Sequence, residues 1–367
     1  MRKTLIALAV LGLSAGVAHA QTSITIYGVV DTGYIKETGR DARMGSNLDN
    51  RIGFRGSEEL GAGVKATFEL ERRFDLNDGT RGNDSAVPRY QAPGSSGPDW
   101  GGPANVGLTG DFGSVRLGRV AELSTETIRK FDPFMQYGVG SMIYSTQRAE
   151  AIDNTLRYDS PRWGGFGFGL SYSLGKGKKP ESANWTKPDM VGVDNDGWAV
   201  NVGFDGGPVA FTTNYSRLAD SNSSHIWNVG LAYLFGPGKV SLLYENTKDK
   251  GYKLAEDSYV MDGLSSYGQQ QLWLLGLEWC IGSGQLDASV QYFRLKDADP
   301  VFIKTDDGNS NSNWKYSLGY TYNLSKRTSA YGMASYTRYD FDEVGQYYHG
   351  INRKSVTGLQ IGMTHKF

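Results

Sequence analysis

Trp314-Lys315-Tyr316-Ser317-Leu318-Gly319-Tyr320-Thr321-Tyr322 places a large apolar or aromatic side chain at every even position and a small or polar one at every odd position. Successive side chains of a strand point to opposite faces, so the stretch reads as a strand with one greasy and one wet face. The period of two recurs along the chain. Val64, Ala66, Phe68 and Leu70 interleave with Lys65, Thr67, Glu69 and Glu71. Trp198, Val200, Val202 and Phe204 alternate with Ala199, Asn201 and Gly203, and Trp227 to Phe235 and Leu359 to Phe367 behave alike. No stretch carries a convincing 3.6-residue period, although Leu123 to Lys130 fits a short helix.

The connections alternate too. Seven are short and turn-like: 58–63, 110–114, 160–165, 205–208, 236–239, 281–285 and 324–327. Eight are long and polar: 36–50, 76–103, 120–152, 175–196, 218–224, 248–268, 296–311 and 341–353. Fifteen connections join sixteen strands. A secreted β-sandwich or β-helix also alternates, but turns its apolar face into a shared core. So many long loops fit a compact soluble domain poorly. They fit a transmembrane barrel, which has short turns on one side, long loops on the other, an apolar exterior and a polar lumen. Lipid offers no partner to an unpaired strand edge, so the sheet must close. The expected fold is therefore all-β: a 16-stranded antiparallel transmembrane β-barrel whose first strand, 24–34, pairs with the last, ending at Phe367. Trp198, Trp227, Trp273, Trp279, Trp314 and Tyr322 fall on the apolar parity near strand ends, where interfacial girdles are expected. Tyr27 breaks that parity and is expected to face inward.

Met1 to Ala20 reads as a cleaved secretory signal peptide: Arg2 and Lys3, an apolar stretch, then Ala18-His19-Ala20. The barrel domain is then 21–367. Charges nearly balance, 38 basic against 39 acidic, which excludes a strongly basic nucleic-acid binder. One cysteine excludes an internal disulfide framework and a Cys-rich zinc site. His225, His349 and His365 are far apart and lack metal-ligand spacing. Gly164 to Gly169 enters a strand and not a helix, so it is no dinucleotide loop. Asp306-Asp307-Gly308-Asn309 lacks EF-hand spacing. No catalytic constellation and no cofactor is expected.

A barrel of about sixteen strands is wide enough to enclose water. The longest loop, 120–152, follows the fifth barrel strand and is the candidate constriction. It carries Glu122, Glu126 and Asp132 beside Arg129 and Lys130. Arg51, Arg55, Arg73 and Arg116 share the inward parity on nearby strands. An acidic loop facing a basic wall would set a transverse field on passing ions. A solute-specific channel and a surface adhesin or receptor barrel are the competing readings.

Several stretches resemble the general porins of Gram-negative outer membranes, of the β-proteobacterial type. They are Ile26-Tyr27-Gly28-Val29-Val30-Asp31, Arg51 to Gly61, Val106 to Gly113 with Leu117-Gly118-Arg119, Asn154 to Pro161, Tyr322 to Thr328, and His365-Lys366-Phe367. The resemblance implies a homotrimer in outer-membrane lipid and lipopolysaccharide, with loop three folded into each lumen and no cofactor. It implies passive diffusion of ions and small hydrophilic solutes. Arg51 and Arg148 match constriction arginines, and Phe367 matches the terminal aromatic read by the β-barrel assembly machinery. Loop two, 76–103, matches the latch onto a neighbouring subunit. Two departures thin the basic wall. Trp100 to Val106 lacks the arginine usual there, and Val120-Ala121-Glu122 lacks the usual Gln-Tyr. Both point to a weakly selective or cation-preferring pore.

Overall fold

The computed structural model describes residues 22–80, 99–143, 150–175, 196–219, 224–249, 268–296, 311–342 and 352–367. The expected signal peptide, Arg148, Asp306 to Asn309 and most of loop two lie outside the described residues. The strands are β1 Ser23–Glu37, β2 Arg43–Gly45, β3 Arg51–Gly61, β4 Val64–Arg73, β5 Ala104–Gly110, β6 Gly113–Ala121, β7 Ala151–Asp159, β8 Phe166–Ser173 and β9 Gly197–Gly206. They continue as β10 Val209–Arg217, β11 His225–Phe235, β12 Gly238–Asp249, β13 Gly268–Ile281, β14 Gly284–Lys296, β15 Asn311–Asn323, β16 Thr328–Arg338 and β17 Ser355–Lys366. A helix, α1 Leu123–Phe131, lies in the third long loop and ends one residue beyond its expected stretch.

Every neighbouring pair is antiparallel, and a single sheet contains all seventeen strands. The strand not expected from the sequence is β2, three residues in the first long loop that run back along Gly33 to Ile35 of β1. Arg43 and Arg40 reach the Glu37 carboxylate at 2.7 and 3.4 Å and fold the loop back on itself. The other sixteen strands form a closed ring. Its seam is β1, which pairs β3 through Ser23 to Val29 and β17 through Val29 to Glu37. The terminal residue finishes the seam: Gly28 N–H donates to the Phe367 carbonyl at 3.0 Å, and Phe367 N–H donates back at 3.1 Å. The Phe367 ring lies against Gly28, where an added Cβ would come within 2.3 Å of it.

The two sides of the barrel differ as the sequence predicts. Tight turns join β3 to β4, β9 to β10 and β13 to β14. Gly207 (φ 57°) and Gly282 (φ 59°) take the left-handed backbone that two-residue hairpin turns require. The long loops all leave from the opposite rim, which is the extracellular one in barrels of this type.

The side chains are arranged inside out. On β15, Tyr316 and Leu318 are 46% and 55% exposed, whereas Lys315 and Ser317, which alternate with them, are 4% and 6% exposed. In a soluble protein the buried set would be apolar. Here the apolar set meets hydrocarbon and the polar set is enclosed. Outward rings form a girdle below the long-loop rim: Trp227, Tyr244, Trp273, Tyr292 and Trp314 follow one another at 4.9–5.4 Å between centroids. Tyr27 faces inward as expected, its hydroxyl donating to Glu69 and Glu71 of β4.

Leu275 sits mid-strand on the lipid face of β13 and is 51% exposed. Leu275→Arg places a charge at mid-membrane depth, at a cost of about 2–4 kcal/mol. The fraction migrating as folded barrel on semi-native electrophoresis is expected to fall. Unchanged thermal stability would contradict the assigned facing.

Candidate functional site

The lumen is shaped by the third long loop. Its helix starts where Glu122, in extended backbone, accepts hydrogen bonds from the N–H groups of Ser124 (2.7 Å) and Thr125 (3.1 Å). The other Glu122 oxygen accepts from the Ser216 hydroxyl of β10 at 2.5 Å and fastens the helix to the wall. Leu123, Ile128 and Phe131 are fully buried on the face that packs over β10 and β11. Asp132 ends the helix. Its carboxylate accepts from the N–H groups of Phe134, Gln136 and Met142 at 3.1, 2.8 and 3.2 Å, which closes the rest of the loop into a compact bend. Burial pushes both carboxyls above the usual range, although their hydrogen bonds oppose the shift. Glu122 and Asp132, expected to face passing ions, instead satisfy the loop's own backbone.

The loop then follows the inner wall across a series of glycines. A Cβ on Gly230 (β11) would lie 2.1 Å from the Phe131 ring, and one on Gly276 (β13) 2.6 Å from Pro133. The same holds for Gly319 (β15) with Phe134 at 2.9 Å and Gly358 (β17) with Val139 at 3.1 Å. Polar wall residues hold the backbone between these seats. Gln360 accepts from Val139 N–H at 3.0 Å, Gln291 accepts from Ile143 N–H at 3.0 Å, and the Lys315 ammonium donates to the Ser141 carbonyl at 2.6 Å. Beneath the loop lies an enclosed apolar cluster of Ile128, Phe131 and Met142 with Leu243, Leu272, Leu274, Phe293 and Tyr339 from the wall and rim. Part of the tube is therefore dry, and Phe293 lies against Tyr339 instead of lining water.

Charge collects on the side away from this filling. At the root of the loop, Glu150 is paired with both Arg73 of β4 and Arg129 of α1. Arg73 also reaches Asp49 (2.8 Å) and Glu71 (3.1 Å), and Arg51 stands 3.5 Å from Glu71. Burial first, and then the charge of Glu150, push the Asp49 carboxyl up to about 6. Burial also opposes ionisation of Glu150, but Arg73 and Arg129 outweigh it and hold that carboxyl below the usual range. Further along, Arg157, only 4% exposed at its side chain, joins Glu126 (2.5 Å) to Asp159 (2.7 Å), which also binds Arg116 at 2.5 Å. Lys130 and Arg162 share Asp205. Arg55 is exposed to the lumen with its guanidinium 5.1 Å from the centre of the Tyr27 ring, and among the described residues it makes no ion pair.

Arg51, Arg55, Arg73, Arg116 and Glu126 thus line the lumen, Glu122 and Asp132 serve the loop's fold, and Arg148 lies outside the described residues. Sequence reasoning missed Glu71, Arg157, Asp49 and Glu150. The first two carried a usable signal: Glu71 shares its strand and parity with Arg73, and Arg157 stands in the alternating run before Asp159. Gly230→Leu is expected to unseat Phe131, with an overpacking cost of about 1–3 kcal/mol. The altered lumen should read out as a changed single-channel conductance with a noisier open level. A variant with wild-type current would mean that Phe131 does not hold the loop.

Comparison with known proteins completes the picture. A family model described as Gram-negative porin matches residues 7–342. Outer membrane porin protein 32 of Delftia acidovorans is 30% identical, with 100% of both chains covered. An outer membrane porin protein of Bordetella pertussis is 29% identical, again over 100% of each chain. Among solved structures, the anion-selective porin from Comamonas acidovorans matches with a TM-score of 0.70 at 22% identity, covering 95% of this chain and 100% of that one. With a closed barrel, a polar lumen and an inward-folded third loop already in place, these matches put the chain in the Gram-negative porin family, as a channel protein of the outer membrane.

Proposed function

We propose that the barrel is a general diffusion channel for ions and small hydrophilic solutes, with weak preference between anions and cations. The observation that carries this reading is the pairing of the luminal arginines. Arg73, Arg116 and Arg157 each bind carboxylates, and Arg51 stands beside Glu71. A paired charge presents little net field to an ion beyond it. Arg55 is the wall charge that acts most directly on ions, with Glu126 the loop acid across from the wall. By its sequence match to the family pattern alone, Arg148, outside the described residues, is proposed as a further arginine of the wall. A solute-specific channel would need a track of lumen-exposed aromatics, and enclosed Phe293 supplies none.

The same reading includes a homotrimer. Outward faces from β17 through β6 are mainly aliphatic, with Ile24, Ile26, Val106, Leu117, Leu359 and Ile361 all exposed, while the tryptophan girdle runs over β9 to β15. Trp100, just before β5, is the tryptophan near this wall among the described residues, and strands without tryptophans suit contact with another barrel better than contact with headgroups. Phe367, at the finished seam, is the recognition element for the assembly machinery.

Reversal potentials across a salt gradient test the selectivity. The wild-type channel is expected to stay near zero. Arg55→Gln should move the preference toward cations by about threefold, since a unit charge ~5 Å from an ion in water contributes roughly 0.8 kcal/mol before screening. An unchanged potential would take Arg55 out of the ion path. A pH series adds an independent check. As pH falls through about 6, Asp49 takes up a proton and its negative charge is lost, so selectivity should move toward anions. The raised carboxyl also makes its share of folding stability greatest at low pH, falling as pH rises from the ordinary carboxylate range to about 6. Asp49→Asn should abolish the selectivity step; a step that persists in this variant assigns the titration elsewhere.

A further inference from the structure

We infer that a cavity between the constriction helix α1 and the inner wall of β7 to β10 is a docking site for small zwitterionic solutes of the α-amino acid class. It adds a resting place beside the passage, and the inference is independent of the channel's preference between anions and cations. The cavity measures about 280 Å³ and is open on one side. Pockets for larger organic ligands start at roughly 300 Å³, so this one suits an occupant of only a few heavy atoms. The wall supplies the space. Gly167 of β8 and Gly203 of β9 stand opposite each other in register, and a Cβ on Gly167 would lie 3.4 Å from the Arg162 side chain. The helix contributes Glu126, Thr127 and Lys130 to the lining, and the turn after β7 contributes Arg162.

The charges around the cavity are sorted by height. Asp159 lies opposite Gly169, and Gly169 opposite Asn201, one inward-facing row above the glycine floor. Asp205 lies one row below it, at the short-turn rim. Glu126 joins the upper acid through Arg157, whose guanidinium binds both carboxylates, at 2.5 and 2.7 Å. Lys130 and Arg162 converge on Asp205 at the lower end. Glu126 and Lys130 stand four residues apart on one helix face, a spacing at which such a pair ordinarily bonds to itself. Here a different strand holds each of them, and they stay apart.

Both ends keep unused bonding capacity. Arg157 bonds Glu126 at one carboxylate oxygen, and the Glu126 side chain is 41% exposed. An ammonium has three donors and a guanidinium five. Among the described residues, Lys130 gives a hydrogen bond to Asp205, and Arg162 gives its bonds to Asp205 and the Gly165 carbonyl. A simple anion in the cavity would meet Glu126 and Asp159, and a simple cation would meet Lys130, Arg157 and Arg162. A zwitterion answers both ends. Its carboxylate takes the open donors of Lys130 and Arg162, and its ammonium donates to the second oxygen of Glu126. Such charge-assisted bonds give the site its selectivity, while solvent on the open side keeps binding weak and exchange fast.

The test uses the full-length barrel in detergent micelles and saturation-transfer NMR, with L-alanine as the probe. L-Alanine is expected to bind saturably. L-Lactate carries a hydroxyl in place of the ammonium, and L-alaninamide an amide in place of the carboxylate. Each should bind about two- to fivefold more weakly, the range set by one solvent-exposed charge contact. Arg162→Gln and Glu126→Gln should weaken L-alanine by a similar factor. Gly167→Val, which fills the floor without altering a charge, should abolish saturation. Lys65→Gln, at the same rim on β4, should bind as the wild type does. Non-saturating L-alanine, equal binding of either single-charge analogue, or equal loss in Lys65→Gln would each overturn the proposal. Arg162 lies in an exposed turn, so its variant carries the test if Gly167→Val fails to fold. Single-channel steps in plain salt, recorded on the same preparation, report on the diffusion reading separately: steps that persist while L-alanine fails to saturate would remove the docking site and leave the channel standing.

Discussion

Hydrocarbon supplies no hydrogen-bond partners, and the architecture follows from that fact. Every strand N–H and carbonyl within the membrane needs a neighbour in the sheet, so the sheet has to close on itself. Closure is achieved at β1, which serves β3 along one half and β17 along the other, and is completed by the terminal backbone of Phe367 against Gly28. Two consequences follow together. The strand period sends alternate residues to lipid and to lumen, and the closed ring leaves an interior too wide for side chains alone to fill.

The third loop answers the second consequence. It is a folded insert, held at its start by Glu122, at its bend by Asp132 and along its length by glycine seats and amide bonds. The apolar cluster beneath it shows how the lumen is narrowed. One side is filled as an ordinary hydrophobic core, and the polar passage is left beside the charged strands. The ion pairs at the root of the loop join it to loop one and β4, so these charges fix the position of the loop against the wall.

The barrel was legible because a period of two is local. Trp314 to Tyr322 can be read without knowing anything distant, and turn and loop lengths then set the strand number. The constriction was less legible because its contacts are distant in sequence. Nothing near Glu122 shows that its carboxylate will meet Ser216, and nothing near Gly230 shows that Phe131 will rest on it. Composition alone makes Glu122 and Asp132 look like acids facing the pore, when the orphan N–H groups of the loop claim them. One clue does lie in the sequence. Leu272-Trp273-Leu274-Leu275 is apolar on both parities, as a strand must be when lipid covers one face and a packed loop the other.

The facing of consecutive residues tests the central claim most directly. Single cysteines introduced in turn from Ile52 to Ser57 of β3, in a Cys280→Ser background, can carry spin labels on the barrel in lipid bilayers. Their collision rates with oxygen and with a water-soluble relaxation agent are then compared. The account predicts strict alternation, with oxygen favoured at Ile52, Phe54 and Gly56, and the water-soluble agent at Gly53, Arg55 and Ser57. Uniform accessibility, or protection of the apolar positions from both agents, would contradict an exterior that meets lipid and an interior that holds water.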